Sequence, residues 1–402
     1  MPTANEQIRD ALLLHQVGLI RLADSINRRI IERLDETEPA LRDLIERHLS
    51  RLSGRSLTDA TNRQKLRALE AAIAELREEA FEEAYTRIRD ESKAVARAES
   101  GFMAAALVAA VPVIFMPALP HRGSLGATVD VMLVEGRTLR EWVTHLRRED
   151  TRRAIARVNM AVTQGQTPRA AARFVIGTAA MGGADGATNV TRTHFDALTR
   201  TAVLSAAAES RKQFAEENAD DIPKEVYLAT LDDRTTAFCR GMDGTILAAD
   251  EGPFVPAHWR CRSIRVPLIE AAMLRGRDVK PEVLQQLLNE FARDNDITTP
   301  VGGRDELPFG TRGRFDNFRD RRLRTLIGRI PESLTYQAWL RSQSAAKQDE
   351  ILGKAKGRLF RLGRLDLRRF VNHNRREFTL RELVIREEEA FRRAGLNPED
   401  FL

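Results

Sequence analysis

TDATNRQKLRALEAAIAELREEAFEEAYTRIRDESKAVARAESGFMAAALVAAV runs from Thr58 to Val111 without a proline, and its single glycine is Gly101. Ala, Glu, Arg and Leu dominate it, all strong helix formers. The stretch predicts one long helix, or two in register, ended by Pro112. Long charged helices of this kind pair with partner helices in the same chain or in a neighbouring subunit. Upstream, Leu12, Leu19, Leu22, Ile26, Ile30 and Leu34 recur at three- to four-residue steps after a first gap, one face of an amphipathic helix. Pro39 opens a shorter helix carrying Leu41, Leu44, Ile45 and Leu49, and Ser53-Gly54 breaks it.

Downstream, Phe102 to Pro120 reads FMAAALVAAVPVIFMPALP and carries no charge. It reaches the lower edge of membrane-spanning length. Pro112, Pro117 and Pro120 divide it, so the expectation is a buried helix end running into an extended apolar segment. A membrane-active element is the alternative. Residues 121–137 form a Gly-punctuated connector with a short apolar strand expected at Val129 to Val134. Thr138-Leu-Arg-Glu141 is a capping box that starts the next helix. Thr167-Pro168 supplies an N-cap and a first helical residue. Thr191 to about Asn218 predicts another helix, with Phe195, Leu198, Val203 and Leu204 as its core face.

At Pro223 the pattern changes. Glu225 to Leu231 (EVYLATL) predicts a strand, with Thr245–Leu247 and Ser263–Val266 as two more. Turn residues fill the gaps: Asp232-Asp233, Asp243-Gly244, Gly252-Pro253 and Pro256. Ile269 to about Phe291 returns to helix. The fold class is therefore mainly α, with long N-terminal helices, a helical middle and a small α+β turn-rich unit around 225–267. The organisation expected is a long-helix region over 1–120, a middle domain over 121–295, a linker or loop over 296–318 and a basic helical region over 319–402.

Composition narrows the function classes. In 402 residues, hydrophobic side chains make up 43%, enough for real cores, and aromatics only 6%, which argues against an all-β protein or a base-stacking RNA reader. The net charge is +6, and residues 303–402 hold 23 Lys/Arg against 15 Asp/Glu, so the surplus sits in the C-terminal quarter. That quarter is either a set of solvated helix faces or a surface for nucleic acid or an acidic partner. Two cysteines exclude a disulfide scaffold and a multi-cysteine zinc array, and suit a reducing cytosol. The polar start, Met1 to Arg9, lacks the basic and apolar regions of a secretory signal, so none is expected. The chain contains no phosphate-binding glycine loop, no H-E-x-x-H helix and no G-x-S-x-G elbow.

Both cysteines fall between Tyr227 and Pro267. His258 stands three residues before Cys261, and Met242 three after Cys239, where a strong zinc pattern would carry a second cysteine. Cys239, His258 and Cys261 remain as candidate ligands, with Asp243 or Asp233 as a fourth. Three other readings stay open. One is a disulfide or close Cys–Cys packing. Another is a structural knot with free thiols, in which Asp232, Asp233 and Asp243 cap turns, Arg234 and Arg262 pair with them, and Pro256 fixes the approach of His258. The last is a Cys–His nucleophile, which lacks an orienting group in any recognisable hydrolase motif.

The run Thr230-Leu-Asp-Asp-Arg-Thr-Thr, Cys239-Arg240, Met242-Asp-Gly244 and Pro256-Ala-His258-Trp-Arg-Cys261-Arg-Ser263 resembles the head morphogenesis, or phage Mu F-like minor head protein, family of tailed bacteriophages. Val255-Pro256 stands where that family often has two prolines, and some members carry a second cysteine near the place of Met242. The resemblance extends to Gly136-Arg-Thr-Leu-Arg-Glu-Trp142, Gln164-Gly-Gln-Thr-Pro168 and Thr199-Arg-Thr-Ala-Val203 upstream. Downstream it takes in Tyr336-Gln-Ala-Trp-Leu340, Gln348-Asp-Glu-Ile-Leu-Gly353 and Leu380-Arg-Glu-Leu383. It covers about residues 136–385 and makes 121–295 the minor head domain.

What the resemblance implies is a low-copy virion protein inside the head near the portal, present in the host cytoplasm during assembly. Its partners would be the portal protein, the major capsid or scaffolding protein, packaged double-stranded DNA and further copies of itself through the long helices. It would act in procapsid assembly and DNA packaging, and some such proteins enter the host with the genome. The family implies no catalytic activity, and its Cys/His/Arg motif looks structural. Two alternatives from other classes are a metal-dependent nuclease or toxin-like enzyme using His258, Cys261 and Asp233, and a membrane-active ejection protein.

Overall fold

The computed structural model describes residues 2–52, 59–328, 335–372 and 376–402. The Leu12–Leu34 stripe folds as α1 (Ala4–Asp35), started by a capping box in which Thr3 and Glu6 serve each other's backbone. α2 (Glu38–Leu49) follows with proline in its first turn, and the expected break at Ser53-Gly54 lies outside the described residues. α3 (Ala60–Ala110) is one continuous helix, capped by Asp59, whose side chain accepts the Asn62 N–H. Then come α4 (Arg122–Val131), α5 (Leu139–Thr163), α6 (Pro168–Ile176) and α7 (Thr188–Glu217). The mainly α class holds.

α3 is the axis of the molecule, packing along α1, α5 and α7. Ile26, Ile30, Phe81, Ile88, Val143, Phe195, Leu198 and Val203 meet in one core between them. A second core at the far end joins Leu41, Ile45, Leu69, Ile73, Val158 and Val175. Two charged knots lie within this bundle, the first fully buried and the second reaching the surface through His15. Arg77 Nε lies 3.1 Å from Asp150 Oδ2, with both side chains under 5% exposed, and Thr191 Oγ1 donates to Asp150 Oδ1 at 2.5 Å. Arg211 Nε donates to Glu99 Oε1 at 2.6 Å, and His15 Nε2 sits 2.8 Å from Glu99 Oε2.

Burial alone would raise the Glu99 carboxyl, but the His15 hydrogen bond and the Arg211 charge outweigh it and leave it below 4.5. A depressed acid contributes stability above its unfolded value and loses it as pH falls through the folded one. Urea unfolding followed from about pH 7 to about pH 3 should therefore show stability falling below about pH 4.5, with Glu99→Gln flattening that fall. An identical acid slope in the variant would remove Glu99 from the account.

The β unit is a three-stranded antiparallel sheet in the order β2-β1-β3, from β1 (Lys224–Leu228), β2 (Ile246–Ala248) and β3 (Ile264–Leu268). Val226 pairs with Ile246 on one side and Val266 on the other. The short α8 (Ala237–Met242) bridges β1 to β2. One sheet face joins Ile8, Leu12, Met103, Leu107 and Phe214 in a third core. After the sheet come α9 (Pro281–Asp294), α10 (Arg312–Ile327), α11 (Tyr336–Ser342), α12 (Ala345–Leu352), α13 (Lys354–Arg361) and α14 (Leu380–Arg393).

Four expectations are corrected. Val129 to Val134 is not a strand: α4 runs through Val131, burying Leu125 and Val129 one helical turn apart. Ile269 to Phe291 is interrupted, because Gly276 takes a left-handed φ of 69° and Pro281 restarts the chain as the first residue of α9. Of the two readings for 296–318, the loop fits as far as Thr311 and the open linker does not, since Val301, Leu307 and Phe315 bury against Leu287, Leu288 and Phe291, and α10 starts at Arg312 and crosses the 318/319 boundary. The outer boundaries also do not separate packing units. α1 and α3 share their core with α5 and α7, and the region after Thr335 shares one with α8 and the Cys261 turn. Local composition marks a turn or a charge surplus, but cores are closed by residues far apart in sequence.

The apolar Phe102–Pro120 stretch behaves as a helix end plus an extended segment. Met103, Leu107, Val111, Val113 and Phe115 are buried, while Ile114, Met116 and Leu119 point outward. Among the described residues, no helix is long and apolar enough to cross a membrane.

Candidate thiol and metal site

Thr236 begins the construction. Its side chain caps α8 by accepting the Cys239 N–H, which fixes that cysteine in the first turn. From the other side, the chain leaves Gly252-Pro253 and Val255-Pro256, both cis peptides, and turns at His258 to Cys261 through Arg260 at a φ of 57°. These two segments bring Cys239 Sγ to 3.1 Å from His258 Nε2 and 3.8 Å from Cys261 Sγ. Both cysteines are free and buried. Among the described residues this is the one Cys/His/acid group whose donor atoms lie close enough to hold a metal ion, all within 4.8 Å of one another.

The surroundings orient the ligands. His258 Nδ1–H donates to the Trp259 carbonyl at 2.9 Å, which leaves Nε2 facing the sulfurs. Thr236 Oγ1 is 3.1 Å from the same Nε2, and the buried Tyr227 hydroxyl is 3.2 Å from Cys239 Sγ. Hydrogen bonding from the Cys261 thiol, with further contributions from His258, Ser263 and Thr236, outweighs burial and holds the Cys239 thiol down to about 3. The same contact pushes the Cys261 thiol up, and burial pushes the Tyr227 phenol up. Burial opposes the charged form of His258, but its bond to Cys239 prevails and raises it. The group thus turns two sulfurs and an imidazole nitrogen toward one point where a cation could sit.

Neither candidate fourth acid belongs to it. Asp243 is buried and already used: its carboxylate accepts the Ala229 N–H at 2.5 Å and the Tyr336 N–H. Burial pushes its carboxyl up to about 6. Asp233 faces outward toward Lys347 Nζ at 3.1 Å. Arg262 pairs with Asp232 at 2.5 and 2.8 Å, as the knot reading requires. Burial works against that carboxylate, and the Arg262 hydrogen bonds overrule it, so Asp232 stays below its ordinary value. Arg234 reaches Asp232 only at 3.8 Å, with its side chain 80% exposed. Pro256 lies on the approach to His258, as expected.

Sequence reasoning gave no role at the site to Tyr227, Thr236 or Tyr336. A threonine directly before a short helix is an N-cap signal and could have given Thr236. Tyr336 could not have been found locally: its hydroxyl donates to the Asp232 carbonyl at 2.6 Å across 104 residues. Asp243→Ala should expose this joint. Each buried N–H left unpaired costs about 1–3 kcal/mol, and limited proteolysis should cut near Thr335 faster than in the wild type. Unchanged cleavage would show that Asp243 does not tie the C-terminal helices down.

More distant stretches reach the same unit. Trp142 stacks edge-on against Trp259 with ring centres 5.0 Å apart, and Thr201 Oγ1 accepts the Arg260 N–H at 3.1 Å. Leu340, Leu352 and Leu383 share the core that holds Cys239 and Cys261. Gln164–Pro168 does not come near, and instead ends α5 and starts α6. No protein-family model, curated protein or solved structure matches the chain.

Proposed function

We propose that this chain is a minor head protein of a tailed bacteriophage, held at the portal or inner capsid and acting in procapsid assembly and DNA packaging. The observation that carries the reading is convergence. The stretches that resemble the family at 136–142, 199–203, 230–263, 336–340, 348–353 and 380–383 pack around one Cys–His knot. Scattered residues that meet in one core have the arrangement of a fold-maintaining motif, which is the structural role the resemblance implies. The role is non-enzymatic, with the portal protein as principal partner and the basic C-terminal quarter facing packaged DNA. Binding to duplex DNA should then weaken steeply as salt rises. Retention of a tagged copy of this chain by the portal protein of the same phage, through size exclusion, tests the partner. Elution of the two as separate species would count against it.

The metal is zinc in this reading, held by Cys239, His258 and Cys261. Zn–S bonds near 2.3 Å in a tetrahedron put two sulfurs about 3.8 Å apart, and the observed separation is 3.8 Å. Zinc here would cross-link α8 to the 258–261 turn. A metal-dependent nuclease is the second reading with an observation in its favour: His258 lies on the wall of a cleft of about 800 Å³ that also presents Arg200, Arg234, Arg260 and Arg262. Plasmid cleavage that needs metal and disappears in a folded His258→Ala variant would establish it over the structural role.

A further inference from the structure

We infer that Cys239 and Cys261 form an oxidative modification site, closing to an intramolecular disulfide that excludes the metal. Cys239 and Cys261 are the only cysteines of the chain, both are free, and their sulfurs are 3.8 Å apart with no atom bonded between them. Each is about 1% exposed, so neither can meet a cysteine of another molecule or a bulky disulfide. The way in is through His258, which touches Cys239 Sγ and lines the open cleft. That route admits a small uncharged oxidant, hydrogen peroxide being the simplest.

The step balances with peroxide as the oxidant. Cys239 sulfur attacks one peroxide oxygen and the O–O bond breaks. The departing hydroxide takes a proton from the Cys–His cluster and leaves as water, so Cys239 becomes a sulfenic acid. Cys261 sulfur then attacks that sulfur, the S–S bond forms, the S–O bond breaks, and a second water leaves with the Cys261 proton. Two thiols are oxidised and one peroxide is reduced to two waters. An S–S bond near 2.05 Å pulls both sulfurs off the positions from which they would share a cation. Metal and disulfide are therefore alternative states of the same cluster. The exclusion half of this inference rests on the zinc reading above, while the disulfide half stands on the thiols alone.

The test uses the full chain, reduced and stripped of metal, treated with hydrogen peroxide and then unfolded in denaturant and alkylated. The expected product is about 2 Da lighter, takes up no label, returns to two labelled cysteines after dithiothreitol, and yields a linked peptide pair containing Cys239 and Cys261. Oxidised glutathione, too large for the route, should leave both thiols labelled. Zinc-loaded protein should oxidise at least ~10-fold more slowly, and the oxidised form should bind no zinc. Thiols that stay fully labelled after peroxide, a disulfide-linked dimer, a glutathione adduct, or sulfinic acid as the main product would each overturn the site. Disulfide formation in a protein that binds no zinc would leave the modification site standing and remove the zinc reading.

Discussion

Cys261→Ala should lose the zinc that the proposed site would hold in the wild-type chain at about one ion per molecule. The ligand set is small, with three protein donors and no acid near enough to compensate, since Asp243 is committed to two backbone N–H groups and Asp233 to Lys347. Outer-shell partners of zinc ligands are worth roughly 10–100-fold in affinity, and a direct ligand is worth more. The variant should therefore bind at least ~100-fold more weakly. Tyr227→Phe gives the graded comparison. It removes the hydroxyl 3.2 Å from Cys239 Sγ and keeps the ring in the core, so its loss belongs in the ~10-fold range. Competition with a chromogenic chelator measures all three proteins under one condition. A wild-type chain that carries no zinc, or a Cys261→Ala chain that carries it equally well, would take the metal out of the account.

Arg77→Ala destabilises the bundle by about 3–5 kcal/mol, the cost of breaking a buried ion pair from one side. Its guanidinium lies between α3 and α5 against Asp150, and both side chains are shut away from water. Removing the cation leaves the buried Asp150 side chain with the Thr191 hydroxyl as hydrogen-bond partner and the Arg153 charge nearby. Removing both charges is a different matter: well-packed apolar replacements of buried pairs are often neutral or stabilising. Arg77→Met with Asp150→Leu should thus recover most of the lost stability, and denaturant titration of the wild type, Arg77→Met, Asp150→Leu and the double variant reads the coupling directly. A double variant no more stable than Arg77→Ala would mean that the bundle needs this charge pair as such.

The bundle was legible because its signal is periodic. The α1 stripe and the unbroken Thr58–Val111 run announce long helices, and the capping box at Thr138 and the N-cap and first-turn proline at Thr167-Pro168 sit where helices begin. Legibility failed where two structures share one local pattern. Val129–Val134 is apolar and β-branched enough for a strand, yet Leu125 and Val129 also stack on one helical face. The 296–318 stretch has a linker's glycines and charges, and what makes it part of a core is three side chains meeting α9. At the site the spacing gave Cys239, His258 and Cys261, because the turn chemistry between them forces the chain back on itself. The roles of the acids were not readable. Which of Asp232, Asp233 and Asp243 faces inward depends on Arg262, Lys347 and the Tyr336 N–H, the last of them 93 residues away.

The role as a head component is tested most directly by counting. Purified full particles, emptied particles and procapsids of the phage that carries this chain would be analysed by quantitative mass spectrometry against the portal protein as internal standard. The account predicts the chain in procapsids and full heads at a copy number of the same order as the portal, far below the major capsid protein, with depletion from emptied heads if it leaves with the DNA. Absence of the chain from procapsids and full heads alike would contradict it.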